Sequence, residues 1–195
     1  NNTNQDITIN VTDVVENTAP VFTSNAAFTA AENQISIGSV VTSDAESDSI
    51  TYSLSGADAS SLAISSSGVL TFSSSPDYET KTSYSASVTA NDGTNVTSQA
   101  ITITITNIND NNPAISSDAS FNAAENQTGI GSVSASDADG DSLTYSLSGT
   151  DASSLSISSS GVLTFGSSVD YETKTSYSAT VSVSDGTNAV SQNIT

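Results

Sequence analysis

The sequence predicts an all-β protein built as two tandem sandwiches, and three observations predict it. Apolar residues recur with a period of two rather than 3.6, as in Ile101, Ile103 and Ile105 alternating with Thr102, Thr104 and Thr106. Turn signals such as Ser67-Gly68 and Asp92-Gly93 break these runs at short intervals. Long blocks also occur twice. "FTAAENQISIGSV" at 28 returns as "FNAAENQTGIGSV" at 121, "LSGADASSLAISSSGVLTF" at 54 as "LSGTDASSLSISSSGVLTF" at 147, and "DYETKTSYSA" at 77 unchanged at 170, each offset by 93.

A repeat of that length is a domain rather than a solenoid turn. Residues 19–106 form repeat 1, residues 107–112 a connector and residues 113–195 repeat 2. Residues 1–18 are expected to be the last strand of a preceding repeat, "QDITINVTD", with its own linker, which makes the chain a piece of a longer protein. Within each repeat Ile50, Tyr52 and Leu54, or Tyr84, Ala86, Val88 and Ala90, alternate with hydroxyl residues. Successive strand side chains face opposite ways, so each run offers one apolar and one hydroxyl face. β-Branched Thr, Val and Ile suit that setting. About seven such runs per repeat match the strand number of immunoglobulin-like sandwiches. Tyr52, Tyr84 and Phe72, with their copies, are expected in the core.

Charge excludes some functions. The 195 residues carry 21 acidic groups against two basic ones, Lys81 and Lys174, for a net charge of −19. Nucleic acid and anionic membrane surfaces would be repelled. No run approaches the ~20 apolar residues of a membrane helix, so no direct membrane insertion is expected. With no Cys and no His, neither disulfides nor the usual transition-metal ligands are available. Phosphate-cradling loops and nucleophile elbows are missing, and paired carboxylates on an unbroken sandwich find no cleft to flank. The expectation is that the chain is not an enzyme.

The acidic residues fall into groups repeated in both copies. They are Glu32 with Glu125; Asp77 and Glu79 with Asp170 and Glu172; Asp44, Glu46 and Asp48 with Asp137, Asp139 and Asp141; and Asp92 with Asp185. The connector adds Asn109, Asp110 and Asn111. If "DYE" is extended, Asp77 and Glu79 at i and i+2 present two carboxylates to one side. Like charges so close repel unless a proton or a cation intervenes. Ca²⁺ takes six to eight oxygens at about 2.3–2.6 Å, which Asp, Glu, Asn and backbone carbonyls provide. Two other calcium patterns fail. "DADGDSLTYSLS" from 137 has Ser142 where an EF-hand loop needs Gly and Ser148 where it needs Glu, and no glycine-rich nonapeptide occurs.

"NINDNNP" at 107 resembles the inter-repeat linker of cadherins, and "AAEN", "DYE", "DAD" and "SDG" resemble that family's other calcium motifs in the family's order. The resemblance spans nearly the whole chain. It implies cadherin-type sandwiches, with about three Ca²⁺ ions at the middle junction. The ligands carried over are Glu32, Asp77 and Glu79 from repeat 1, Asn109, Asp110 and Asn111 from the connector, and Asp137, Asp139 and Asp185 from repeat 2. Asn107 stands where the linker usually opens with Asp. The first junction, "TDVVENTAP", has Glu16 in place of an Asp and one extra residue before Pro20, so Asp44, Glu46 and Asp92 are expected to form a partial site, as are Glu125, Asp170 and Glu172. There is no Trp, so the strand-swap adhesion of many vertebrate cadherins has no support; the Ser-rich, Lys-poor repeats look more like cadherin-like arrays of bacterial surface proteins.

The function implied is a calcium-rigidified adhesion or structural module of the cell surface, extracellular, whose expected partners are calcium and either the same protein on another cell or extracellular polysaccharide. A polysaccharide-binding module and a passive spacer within a large adhesin are the alternatives.

Overall fold

A computed structural model describes residues 4–12 and 16–195, and the chain divides into two compact units, residues 1–106 and 107–195. Unit 1 contains β1 (Val21–Phe22), β2 (Ala27–Ala31), β3 (Ser36–Ser39), β4 (Thr42–Ser43), β5 (Thr51–Ser55), a 3-10 turn (Ala59–Ser61), β6 (Leu62–Ile64), β7 (Val69–Phe72), β8 (Ser83–Asn91) and β9 (Val96–Thr106). One sheet runs β2-β9-β8-β5 and another β3-β7-β6, with β1 paired to β4.

The expected seven runs are present, but the first two are each broken. β1 pairs antiparallel with β4, while β2 pairs in parallel with the end of β9, from Ala27 opposite Thr102 to Ala31 opposite Thr106. The first run thus changes sheets, and Thr23 N marks the change by donating to the Val41 carbonyl at 2.8 Å. Switching covers an edge in both sheets that would otherwise be left with unpaired amides.

The period of two is realised as burial on one side. Along β9, Ile101, Ile103 and Ile105 are buried and Thr102, Thr104 and Thr106 exposed. They join Leu70, Phe72, Val88 and Ala30 in one core, with Phe28, Tyr52 and Tyr84 packed against it. Phe72 and Tyr84 meet edge to face at 5.0 Å, the arrangement aromatic quadrupoles favour.

Unit 2 repeats the plan with β10 (Ala114–Ile115), β11 (Gly129–Ser132), β12 (Ala135–Ser136), β13 (Thr144–Ser148), a 3-10 turn (Ala152–Ser154), β14 (Leu155–Ile157), β15 (Val162–Phe165), β16 (Ala179–Ser184) and β17 (Ala189–Ile194). Its sheets are β11-β15-β14 and β13-β16-β17, with β10 paired to β12, around a core of Val133, Leu163, Val181 and Val183. Residues 120–124, the copy of β2, form no strand. Neither do residues 4–12, where "QDITINVT" predicts one. They are exposed throughout, and a strand needs a neighbour to take its ladder bonds. Asp13, the last residue of that run, lies outside the described residues.

The two lysines have one task, done twice. Lys81 pairs with Asp58 and lies 4.6 Å from the centre of the Tyr84 ring. Lys174 pairs with Asp151 and lies 4.7 Å from that of Tyr177. The other oxygen of Asp58 accepts from Ser85 N at 2.8 Å, and that of Asp151 from Ser178 N at 2.8 Å. Each lysine thereby ties the turn after the Phe72 or Phe165 strand to the 3-10 turn before it.

Two predictions follow from this packing. Gly161 sits at φ +81, and a Cβ there would lie 2.2 Å from the Val133 carbonyl oxygen. Gly161→Ala should destabilise repeat 2 by about 1–3 kcal/mol, read as a lower thermal midpoint. The Lys81 ammonium, and then the Ser85 amide, hold the Asp58 carboxyl below its ordinary 3.8. The stabilisation is therefore full above that value and is lost as pH falls through the lower folded value. Asp58→Asn should lower stability at neutral pH and flatten the acid limb of a stability-versus-pH curve.

Candidate metal centre

In repeat 1 the segment after β7 turns instead of running extended. Asp77 accepts from Thr80 N at 3.1 Å on Oδ1 and from Thr80 Oγ1 at 3.0 Å on Oδ2, and its carbonyl takes Lys81 N at 2.9 Å. Residues 78–80 are a turn rather than extended chain, so the i, i+2 geometry of a strand does not describe Asp77 and Glu79. Glu79 instead has a carboxylate oxygen within 4.8 Å of one on Glu32. Glu32 is 1% exposed and accepts the Tyr78 amide at 2.7 Å. Two carboxylates at that separation repel by about 3 kcal/mol at an effective dielectric of 20. In repeat 2 the copies Glu125, Asp170 and Glu172 do come together, each offering an oxygen within 4.8 Å of the others, on an exposed surface.

The connector belongs to unit 2 and is fastened to its acidic loop. Asp139 Oδ2 accepts from Asp110 N at 3.1 Å and Asn111 N at 2.9 Å, while Oδ1 accepts Asn111 Nδ2 at 3.1 Å. Asn107 Nδ2 donates to the Asp139 carbonyl at 2.8 Å. Asp137 Oδ1 takes the amides of Asp139 and Asp141 at 3.0 and 3.4 Å, and these three aspartates bring oxygens within 4.8 Å of one another. In the β16–β17 turn, Asp185 Oδ1 accepts from Thr187 N and Asn188 N, both at 2.6 Å.

Asn188 closes the arrangement. Its amide donates to Asn109 Oδ1 and to the Asn111 carbonyl, both at 3.3 Å. Sequence reasoning passed over Asn188 because Asp-Gly-Thr-Asn is ordinary turn chemistry. The available signal was Asn95, which stands in the same place in repeat 1 and donates to the Asn17 carbonyl at 3.1 Å.

Two oxygens in this cup are left over. Asp137 Oδ2 and Asp185 Oδ2 are buried without a hydrogen-bond partner, and so is Asp44 Oδ2, the counterpart of Asp137 in repeat 1. Burial pushes the Asp185 carboxyl up, but donors from Asn188, Thr187 and Asn109 together outweigh it and hold the group below its ordinary value, hence ionised. The Asn95 amide does most to hold Asp92 low in repeat 1. An anionic oxygen shielded from water and facing no donor is unfavourable. A hard cation removes that cost, and the donors present (carboxylates, Asn amide oxygens and backbone carbonyls) suit Ca²⁺. At the start of repeat 1, Asp44 Oδ1 takes Asp48 N at 2.9 Å, and Glu46 Oε2 accepts from Thr18 N and Oγ1 at 3.2 and 2.9 Å.

Residues 119–195 match the cadherin domain family model, and residues 17–106 match that of the bacterial Ig domain. Among solved structures, human protocadherin-24 EC1-2 is similar with a TM-score of 0.77 and 22% identity, covering 92% of this chain and 98% of that one. Mouse cadherin-23 EC22-24 gives 0.74 and 25%, covering 92% and 63%. Drosophila N-cadherin EC1-4 gives 0.76 and 23%, covering 91% and 48%. This chain thus spans less than two thirds of those last two. No curated protein sequence matches it significantly. The fold is that of tandem cadherin ectodomain repeats.

If the unpartnered oxygens are cation ligands, Asp137→Asn and Asp185→Asn should each weaken Ca²⁺ binding by about 10–100-fold, measured by titration calorimetry. In chelator the same variants should be no less stable than the parent, since each removes one unpaired charge.

Proposed function

We propose that this chain, carrying a cadherin domain and a bacterial Ig-like domain in tandem, is an extracellular adhesion module stiffened by Ca²⁺ at the connector between its repeats. The observation that carries this reading is the pair of buried, partnerless oxygens of Asp137 and Asp185, in a cup whose other wall is the connector itself. Asn109, Asp110, Asn111, Asp137, Asp139 and Asp185 are the ligands assigned to repeat 2 and its connector. The cadherin-type order of motifs assigns the remainder to Glu32, Asp77 and Glu79 of repeat 1. No catalytic role is proposed for any of them.

The mechanism is electrostatic. The protein supplies fixed oxygens, several already oriented by backbone amides, so little ordering is left to be done when the ion arrives. The ion supplies the positive charge that lets these carboxylates stay close. A connector whose carbonyls and side chains are tied to one ion loses its freedom to swivel, which converts beads on a string into a rod. Affinity in the range of extracellular modules, about 10⁻⁴–10⁻³ M, would keep such an array stiff in calcium-rich surroundings and slack elsewhere. A ligand bound only by the assembled form also raises its stability.

Limited proteolysis tests the proposal. Chelation should open cleavage within Asn107–Asn112 while each repeat stays folded by circular dichroism. A digestion pattern indifferent to calcium would overturn it.

A further inference from the structure

Asn107 stands where the linker of cadherins usually opens with Asp, and its surroundings give that departure a use. Its Nδ2 donates to the Asp139 carbonyl at 2.8 Å. An ionised Asp has no hydrogen to give and could not make this bond. Further along, Asn188 Nδ2 donates to Asn109 Oδ1 and to the Asn111 carbonyl, both at 3.3 Å. One side-chain amide thus holds the connector at its first residue, and a second holds it at its third and fifth. Between these points the backbone amides of Asp110 and Asn111 rest on Asp139 Oδ2, at 3.1 and 2.9 Å. All of these residues belong to the unit 107–195.

What the two asparagines share is a donor without a charge. The connector, the loop beneath it and the β16–β17 turn carry Asp110, Asp137, Asp139, Asp141 and Asp185. The lysine of this repeat is held by Asp151 and answers none of them. Carboxylates gathered in this way push the connector and the loop apart when no cation lies between them. A carboxylate at 107 or 188 would add to that repulsion. An amide opposes it, and works whether or not an ion is present.

The start of repeat 1 reaches the same result with other residues. Asn95, the copy of Asn188, donates to the Asn17 carbonyl at 3.1 Å. Thr18 gives its backbone N and its Oγ1 to Glu46 Oε2, at 3.2 and 2.9 Å. Glu46 replaces the Asp139 of repeat 2, and Thr18 has no equivalent among the donors there. The fastening is again made by uncharged groups. Two different sequences that arrive at one arrangement mark it as a built feature of these junctions.

We propose that Asn107 and Asn188 form an uncharged latch that keeps the connector docked on repeat 2 when no cation is bound. The latch goes beyond the calcium reading and does not rest on it. Its bonds are few, and Asn107 is exposed and Asn188 half-buried, so docked and released forms interchange. Proteolysis in chelator reads the released fraction, which the latch keeps small. An empty cup therefore retains part of its shape.

Hydrogen exchange of the 195-residue chain in chelator, resolved residue by residue by NMR, tests the latch with no ion present. Its outcome is separate from whether calcium binds. In the parent, the Asp110 and Asn111 amides should exchange more slowly than in an unstructured chain. Asn107→Ala and Asn188→Ala, which remove a donor and add no charge, should each speed that exchange by about 2–10-fold. Asn107→Asp and Asn188→Asp should speed it further. The Val181 and Val183 amides of β16 should be unaffected, and Asn95→Ala should leave Asp110 and Asn111 as in the parent. Three results would overturn the proposal: unprotected Asp110 and Asn111 in the parent, alanine variants that match the parent there, or equal acceleration at Val181 and Val183. The last would mean that the asparagines hold the repeat together rather than the connector.

Discussion

The structure depends on how a chain with 21 acidic groups and two lysines holds its carboxylates close together. Both lysines are already committed inside their own repeats, to Asp58 and Asp151. Neutralisation at the connector must therefore come from amide donors or from solution. Amides do part of the work: Asp139 takes three N–H groups from the connector and Asp185 two from its turn. They do not finish it, because the loop geometry leaves one oxygen of Asp137 and one of Asp185 facing no donor. That remainder is what sets these loops apart from an ordinary acidic turn.

The sandwiches themselves are built around apolar cores. Their cores rest on alternating strands whose inward residues, such as Val88, Leu70 and Ile103, are wholly buried, while the outward positions are hydroxyls. Burial of this kind is worth about 1.5–3 kcal/mol for each large aliphatic side chain. The acidic groups are gathered at turns and connectors, away from these faces. The residues that build the cores and the residues that carry the charge are thus largely separate sets.

Much of this was legible in the sequence because strand periodicity is a local signal. Ile101 to Thr106 states its own faces, and the 93-residue offset states the domain length. What was not legible depends on tertiary partners. The first run switches sheets because β9 offers an open side, a fact invisible in "VFTSNAAFTAA". An extended "DYE" was the expectation for Asp77 and Glu79, whereas residues 78–80 turn; the same turn in repeat 2 still brings Asp170 and Glu172 together. Asn188 and the Asp58–Lys81 pair were missed since their partners lie far away in sequence, although their recurrence in both copies was a usable clue. Residues 5–12 have a strand's pattern without a strand's neighbour, and pattern alone does not make a ladder.

The near-identity of the repeats has a consequence for folding. A β9-type segment is chemically acceptable to more than one sandwich, so the growing polypeptide must choose among equivalent partners by proximity rather than by fit. Short links favour the correct choice, since the segment tethered nearest arrives first. Among near-identical neighbours, order of synthesis would then act as the proofreader, and mispaired units would be its characteristic error.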